Sequence, residues 1–488
     1  MDNKKDALKS NIIFSFISQI ITYLIPFVLS PYLARILLPE GNGEYSFGYS
    51  IVYYFTIIVI FGFTNYGIRQ ISSKRDIKDK YSKYFWNIYF TRLVFFIIST
   101  AIYIVLVKTT FFSSKVRNSI YYALILVMVG EAIDLTFLFQ GLEKFKLISI
   151  INVLVNLLYL ILVFCFVKSI DDLLIYTILK SSIKIGLTLI LAIFAVKLIS
   201  KPVISKELIF EVLKGSSLFF LPSLVMHISP IVDQTMLGFL TDNSEVGYYQ
   251  QVYKIISLVA SLVFALGPIM LSKMSYLHKN KDDNEILDKI TKLIKIAFFI
   301  MLPATVGLFC IAKFFIPAYF GDKYINAINV MYLFLPGIIF GSISSLIING
   351  YYYPAKKVIN CTLIMFFTVI LNAITNIFAI KYYGACGAAF TSSLTSLINM
   401  LLLIIFSKKS INYRIVFSSS LKIYLSSLVM GIVLIGLNLM LNQFNLNNIL
   451  ICVSDIVVGC FIYIIMLWLL KEEFVLHFIN ILFKKKGL

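Results

Sequence analysis

Runs of 20 or more mostly apolar residues, recurring along the whole chain, constrain this sequence more than any other feature. A helix rises ~1.5 Å per residue, so each run is long enough to cross the ~30 Å hydrocarbon core of a bilayer. Fourteen spans are readable: residues 12–38, 45–67, 84–107, 119–139, 147–167, 173–196 and 210–240, then 247–271, 296–316, 326–348, 358–380, 384–406, 421–441 and 449–470. Barrel strands would alternate apolar and polar residues over ~10-residue segments, and these runs do not. Only 14% of the 488 residues are charged against 60% apolar, and the mean hydropathy is +0.91. That is too few charges to cover a soluble domain. A soluble enzyme, a nucleic-acid binder and a disordered scaffold are excluded. The expected fold class is an all-α polytopic membrane protein of about 14 transmembrane helices.

The net charge of +19 then has a topological explanation. One set of alternate loops, counting both termini, holds 30 Lys or Arg and the other set holds 7. By the positive-inside rule both termini face the cytoplasm. The basic excess also suits contact with anionic membrane lipid. Residues 1–10 are short and basic, but the run after them is too long for a signal peptide, so the first span is expected to stay in the membrane. The six cysteines form no Cys-x-x-Cys pair and the three histidines lie far apart, so no metal site and no cofactor are expected.

The first half of the chain repeats in the second at a shift of 204 residues: Pro26 falls on Pro230, Gly43 on Gly247, Tyr45 on Tyr249 and Arg69 on Lys273. A later echo sets Gln140-Gly141, ahead of Lys144 and Lys146, against Asn349-Gly350, ahead of Lys356 and Lys357. Six spans per copy is an even number, so both copies share one orientation and an axis along the membrane normal should relate them. The expected division is therefore a six-helix bundle over 1–208, a second over 209–410, and two additional helices with a tail over 411–488. Two bundles rocking about a central cavity is the natural mechanical reading.

An ionisable side chain deep in a span costs at least ~2.5–3.5 kcal/mol on insertion scales, so it should face protein or water. The in-span cations are Arg35, Arg92, Lys180, Lys184, Lys214 and Lys254; the in-span acids are Glu131, Asp134, Asp233 and Asp455. Glu131 and Asp134, three apart, share a helix face near Arg92 of the preceding span. Two readings fit these residues: a structural ion pair, or a proton- or cation-coupling site that also draws on Asp233. Arg35, Lys180, Lys184 and Lys254 fall in the outer halves of their spans, and Lys180 and Lys184 project from one face. Either they snorkel to the headgroups, or they line a cationic cavity that binds an anionic group in transit. Asp233 is the one obvious acidic partner at their depth. Lys214 reads as an anchor, His227 as a helix-packing residue, and Asp455 as reaching interfacial water. Tyrosines at span ends, such as Tyr351, Tyr352 and Tyr353, read as interfacial belt. Others would stack on sugar rings if they lined the cavity, but periodicity does not single them out.

Several passages resemble the polysaccharide transporter family of oligosaccharide-repeat flippases, in the multidrug/oligosaccharidyl-lipid/polysaccharide exporter superfamily. They are Leu33-Ala34-Arg35-Ile36-Leu37 with Gly43-Glu44-Tyr45, and Gly62-Phe63 ahead of Arg69. Further on come Phe139-Gln140-Gly141-Leu142-Glu143-Lys144, and Asp233-Gln234-Thr235-Met236-Leu237-Gly238 followed by Val246-Gly247-Tyr248-Tyr249. The resemblance implies a carrier, not an enzyme, that moves an undecaprenyl-diphosphate-linked oligosaccharide to the outer leaflet for capsule or O-antigen assembly. It carries over Arg35 and Lys254 as substrate-binding cations, while Lys180 and Lys184 rest on position. It also implies a lipid-tail groove in the last two spans. The expected partners are the lipid-linked substrate and membrane lipid, with contact to a polysaccharide polymerase or glycosyltransferases, and the chain is expected to be a monomer. A drug or metabolite exporter of the same superfamily, or a membrane polymerase of lipid-linked sugar, is the alternative.

Overall fold

A computed structural model describes residues 2–108, 115–264, 274, 283–408, 411, 413–444 and 446–476, with the side chains of 2–23, 222–223, 226–227, 283–284, 286–287, 414 and 416 outside it. The described residues are helical almost throughout, and ten helices among them are long and apolar enough to cross a bilayer. Two of these, Leu24–Ser73 and Val358–Ser407, are 50 residues long, and each holds two expected spans. Leucine, isoleucine and phenylalanine side chains such as Ile97, Leu158, Ile193 and Phe461 stand exposed along them. So much outward apolar surface requires lipid.

By packing, the chain divides into two compact units, Met1–Gln250 and Gln251–Leu488. The first contains α1 (Asp2–Ile60), α2 (Phe63–Ser73), α3 (Lys78–Lys108), α4 (Asn118–Ala132), α5 (Thr136–Gly141), α6 (Phe145–Phe166), α7 (Leu173–Ala195) and α8 (Lys206–Leu240). Helix α9 (Asn243–Phe264) runs from the first unit into the second. Within the first, α4 packs on α7 and α1, α6 packs on α1 and α7, and α8 packs on α1, α2 and α3.

Helix α1 breaks at Leu38, whose φ of 57° and ψ of 176° are not helical. Pro39 follows; it lacks an N–H and disfavours helix in the residue before it. Asn42 repairs the break by donating Nδ2 to the carbonyl oxygens of Leu33 and Leu38, both at 3.0 Å. The first two expected spans meet here. The second of them, 45–67, is itself interrupted at Phe61–Gly62, where Gly62 has a φ of 74°. A Cβ on Gly62 would lie 2.5 Å from the Ser216 carbonyl oxygen, so α8 approaches too closely for any other residue. The fourth expected span, 119–139, breaks between α4 and α5, at Ile133–Leu135. No proline or glycine marks that break.

At the turns around Gly43 and Gly247, residues matched by the 204-residue shift meet one another. A Cβ on Gly43 would lie 1.6 Å from the Asn243 carbonyl oxygen, and one on Gly247 would lie 2.1 Å from that of Pro39. At the shift of 204, Gly43 pairs with Gly247 and Pro39 with Asn243. The contact is reciprocal, the pattern that a two-fold relation makes.

The second unit contains α10 (Asp283–Phe320), α11 (Ala327–Ile347), α12 (Val358–Ser407), α13 (Tyr413–Ser418), α14 (Leu421–Gln443) and α15 (Asn448–Leu469). Helix α12 breaks at Gly384, where φ is 54° and ψ is −132°. Helices α14 and α15 pack on each other and on α10. Lys295 of α10 ties down the segment after α15 through Glu472 at 2.8 Å and Glu473 at 3.0 Å. Tyr351 and Tyr352, expected in the interfacial belt, are instead buried in a π-helical turn, where Tyr352 Oη donates to the Leu403 carbonyl oxygen at 2.9 Å.

Candidate functional site

The break between α4 and α5 takes the helical donor from the Asp134 carbonyl oxygen and leaves that of Glu131 with a long 3.4 Å bond from the Asp134 N–H, a deficit to be made good inside a membrane. Arg92 of α3 supplies the replacement. Its Nη1 donates to the Asp134 carbonyl oxygen at 2.9 Å and to that of Glu131 at 3.4 Å, and Nη2 donates to Thr64 Oγ1 at 3.2 Å. The guanidinium is 1% exposed and lies 5.0 Å from the Phe137 ring centroid. Asp134 caps the start of α5: its Oδ1 accepts the Thr136 N–H and its Oδ2 the Thr136 hydroxyl, both at 2.9 Å. The expected pairing of Arg92 with these acids is therefore made to their backbone oxygens.

The carboxylates face Lys184 of α7. Its Nζ lies 2.6 Å from Glu131 Oε2 and 3.3 Å from Asp134 Oδ2. Gly130 permits this approach, since a Cβ there would sit 3.1 Å from Lys184 Cβ. Asp233, expected as the acid for these cations, is not what Lys184 pairs with. Two cations and two carboxylates give the cluster a formal charge of zero, and it joins α2, α3, α4, α5 and α7.

Lys180 sits one turn from Lys184 in different surroundings. Its ammonium lies 5.2 Å from the Tyr159 ring centroid of α6, and among the described residues no carboxylate forms an ion pair with it. The same unit holds a row of tyrosines that the sequence pattern left unassigned. Tyr45 and Tyr49 stack at 6.0 Å, Tyr49 and Tyr53 lie 5.6 Å apart, and Tyr176 meets Tyr45 edge-on at 5.0 Å. The spacing Tyr-x-x-x-Tyr-x-x-x-Tyr at 45, 49 and 53 places these rings on one face of α1. That spacing was the available signal. All three are half-buried.

Arg35 is exposed on the first arm of α1. Asp233 is buried on α8 and accepts the Tyr249 hydroxyl at 2.6 Å. Lys254 belongs to the second unit, where its Nζ donates to Gln251 Oε1 at 3.3 Å. Asp455, expected to reach interfacial water, is enclosed at 1% exposure because α10 and α14 cover that face of α15. The His227 side chain, His278, His477 and Lys273 lie outside the described residues. A separate cavity of about 450 Å³ in the first unit is acidic: Glu40, Glu44, Asp171 and Asp242 line it, with Arg117 bound to Glu44 at 3.1 Å.

Long helices broken in mid-span, with charges compensated inside the bundle, define a multi-span membrane protein of the transporter type. The fold is similar to that of a lipid II flippase, MurJ, in an inward closed conformation, with a TM-score of 0.74 at 18% identity, over 95% of this chain and 100% of that one. It is also similar to an inward-facing MATE multidrug-resistance transporter of the MOP superfamily, with a TM-score of 0.55 at 14% identity, over 80% of this chain and 98% of that one. The chain belongs to the polysaccharide biosynthesis protein family, whose pattern matches residues 8–271. A candidate O-antigen transporter of Escherichia coli (strain K12) is 30% identical over 182 residues, which is 37% of this chain and 44% of that relative. A second candidate O-antigen transporter, from Shigella dysenteriae, is 25% identical over 407 residues, 81% of this chain and 99% of that relative.

Proposed function

We propose that the chain is a flippase, moving an undecaprenyl-diphosphate-linked oligosaccharide repeat unit from the cytoplasmic to the outer leaflet of a bacterial cell membrane for O-antigen or capsule assembly. Family membership and the two O-antigen relatives support a lipid-linked glycan over a drug or metabolite as the cargo. The observation that carries the reading is Lys180, an ammonium backed by the Tyr159 ring in a unit that also holds the contacting rings of Tyr45, Tyr49 and Tyr176. Lys184 is already paired with two carboxylates, whereas an incoming phosphate would give Lys180 the counter-charge that no described carboxylate supplies. The tyrosine rings offer faces on which sugars stack.

A diphosphate carries about two charges, and moving it bare through hydrocarbon meets a barrier of tens of kcal/mol on a Born argument. Fixed cations in a hydrated cavity replace the lost water, while the polyprenyl tail stays in lipid. In this reading the bundles 1–208 and 209–410 rock about the cavity, Arg35 and Lys254 add positive charge to it, and 411–488 accommodates the tail. The reciprocal Gly43 and Gly247 contacts support the repeat behind that division. Both termini face the cytoplasm, and the protein acts as a monomer without catalysing a reaction. A polymerase or glycosyltransferases of the assembly line are its partners.

The test is accumulation and rescue. Deleting the gene should build up one lipid-linked oligosaccharide on the cytoplasmic side, and wild-type protein should clear it. Lys180→Ala should lower export at least tenfold at normal membrane abundance, and Lys180→Arg should restore most of it. Normal export by Lys180→Ala removes the basis of this reading.

A further inference from the structure

We propose that Asp455 is a proton-binding site inside the membrane-spanning part of the second unit. Asp455 is the eighth residue of α15 and is 1% exposed, and neither carboxyl oxygen has a hydrogen-bond donor. Asn438 of α14 lies beside it, and its own Oδ1 also has no donor. The Asn438 Nδ2 is engaged with the Cys310 carbonyl oxygen of α10 at 3.2 Å. Three oxygen acceptors thus meet where α10, α14 and α15 pack, and the Asn438 amide, already bonded to Cys310, is the donor group beside them.

The surroundings offer no charge to balance a carboxylate. Among the described residues no lysine, arginine or histidine forms an ion pair with Asp455. The titratable groups that face it are two thiols, Cys310 of α10 and Cys452 of α15, while α14 presents the uncharged Asn438. Ile311, Phe314 and Ile451 form the adjoining apolar core. A buried carboxylate without a partner neutralises by taking a proton rather than remaining charged. That proton removes the charge and adds a donor to a cluster dominated by acceptors. Its loss would set a bare carboxylate between three packed helices, so proton occupancy and the seating of α14 and α15 on α10 are linked. The remaining in-span acids Glu131, Asp134 and Asp233 all have donors. Asp455 differs from them in this respect.

The site can be read without any transported substrate, so its test stands apart from the flippase reading. Infrared spectra of the purified full-length protein in lipid nanodiscs, recorded at neutral pH with and without sodium, report carboxylic acid and carboxylate stretches separately. The wild-type minus Asp455→Asn difference should contain a carboxylic acid C=O band that shifts in D2O. Asn438→Ala should move that band without abolishing it. A difference showing only carboxylate stretches overturns the proposal. So does an acid band that sodium removes, which would make this a cation site. If Asp455→Asn fails to fold, the Asn438→Ala spectrum decides: an acid-band region identical to wild type overturns the proposal.

Discussion

At the scale of single residues, the cluster of Arg92, Glu131, Asp134 and Lys184 makes the sharpest claim. Removing one member of a buried ion network leaves its partners charged and undersolvated, which costs more than the pair contributes. Lys184→Met should therefore destabilise the protein by about 2–3 kcal/mol, read from unfolding in detergent, because Glu131 and Asp134 lose their common cation. Adding Glu131→Gln should recover at least about 1 kcal/mol of that loss, since contacting groups do not behave additively. Additive losses would mean that the 2.6 Å contact carries no coupling. Three members of this network were legible as in-span charges. Lys184 was legible too, but with Lys180, because a four-residue spacing sets both on one face. Their partners diverge because Gly130 admits the Lys184 stem to α4 while Tyr159 meets Lys180. Such choices belong to packing, and a one-dimensional pattern does not contain them.

At the scale of elements, the breaks fall into two kinds. Pro39 and Gly384 announce theirs in the sequence, one by lacking an N–H and the other by tolerating positive φ. The break at Ile133–Leu135 has no such marker. It is held by Asp134 capping Thr136 and by Arg92 on the Asp134 carbonyl oxygen, so a continuous span was the natural expectation there. The turns at Gly43 and Gly247 belong to the first kind and yield a prediction. A methyl group on Gly43 would fall 1.6 Å from the Asn243 carbonyl oxygen, which is backbone and cannot rotate away. Gly43→Ala should lower the melting temperature by about 1–3 °C, because overpacking costs about 1–3 kcal/mol. Gly436→Ala is the matched control. Gly436 lies within α14 with open space where its Cβ would be, so alanine should be neutral or stabilise by up to ~1 kcal/mol through helix propensity alone. Equal behaviour of the two variants would refute the close contact between the Gly43 and Asn243 turns.

At the scale of the whole molecule, hydropathy was enough to read a polytopic helical protein, and the family followed from motifs in their order. What crosses the membrane is a matter of charge, and charge makes a measurable demand. An inside-negative potential favours outward movement of an anion by ~2.3 kcal/mol per charge per 100 mV, so a bare diphosphate with two charges gains about 4.6 kcal/mol. At 1.4 kcal/mol per factor of ten, that displaces the equilibrium distribution by about a thousandfold. In the proposed flippase, Lys180 would stay with the protein, lowering the barrier without cancelling the transported charge. Transport should accordingly be electrogenic. In proteoliposomes of purified protein and a lipid-linked oligosaccharide, a potassium-diffusion potential negative on the cytoplasmic side should speed outward movement, and its reversal should slow it. Lys180→Ala should reduce the rate at every voltage while leaving the voltage dependence in place. Flux indifferent to potential would show that the load crosses with its charge already compensated by a co-transported cation or proton. The coupling site would then have to be sought among the buried carboxylates, Asp455 first.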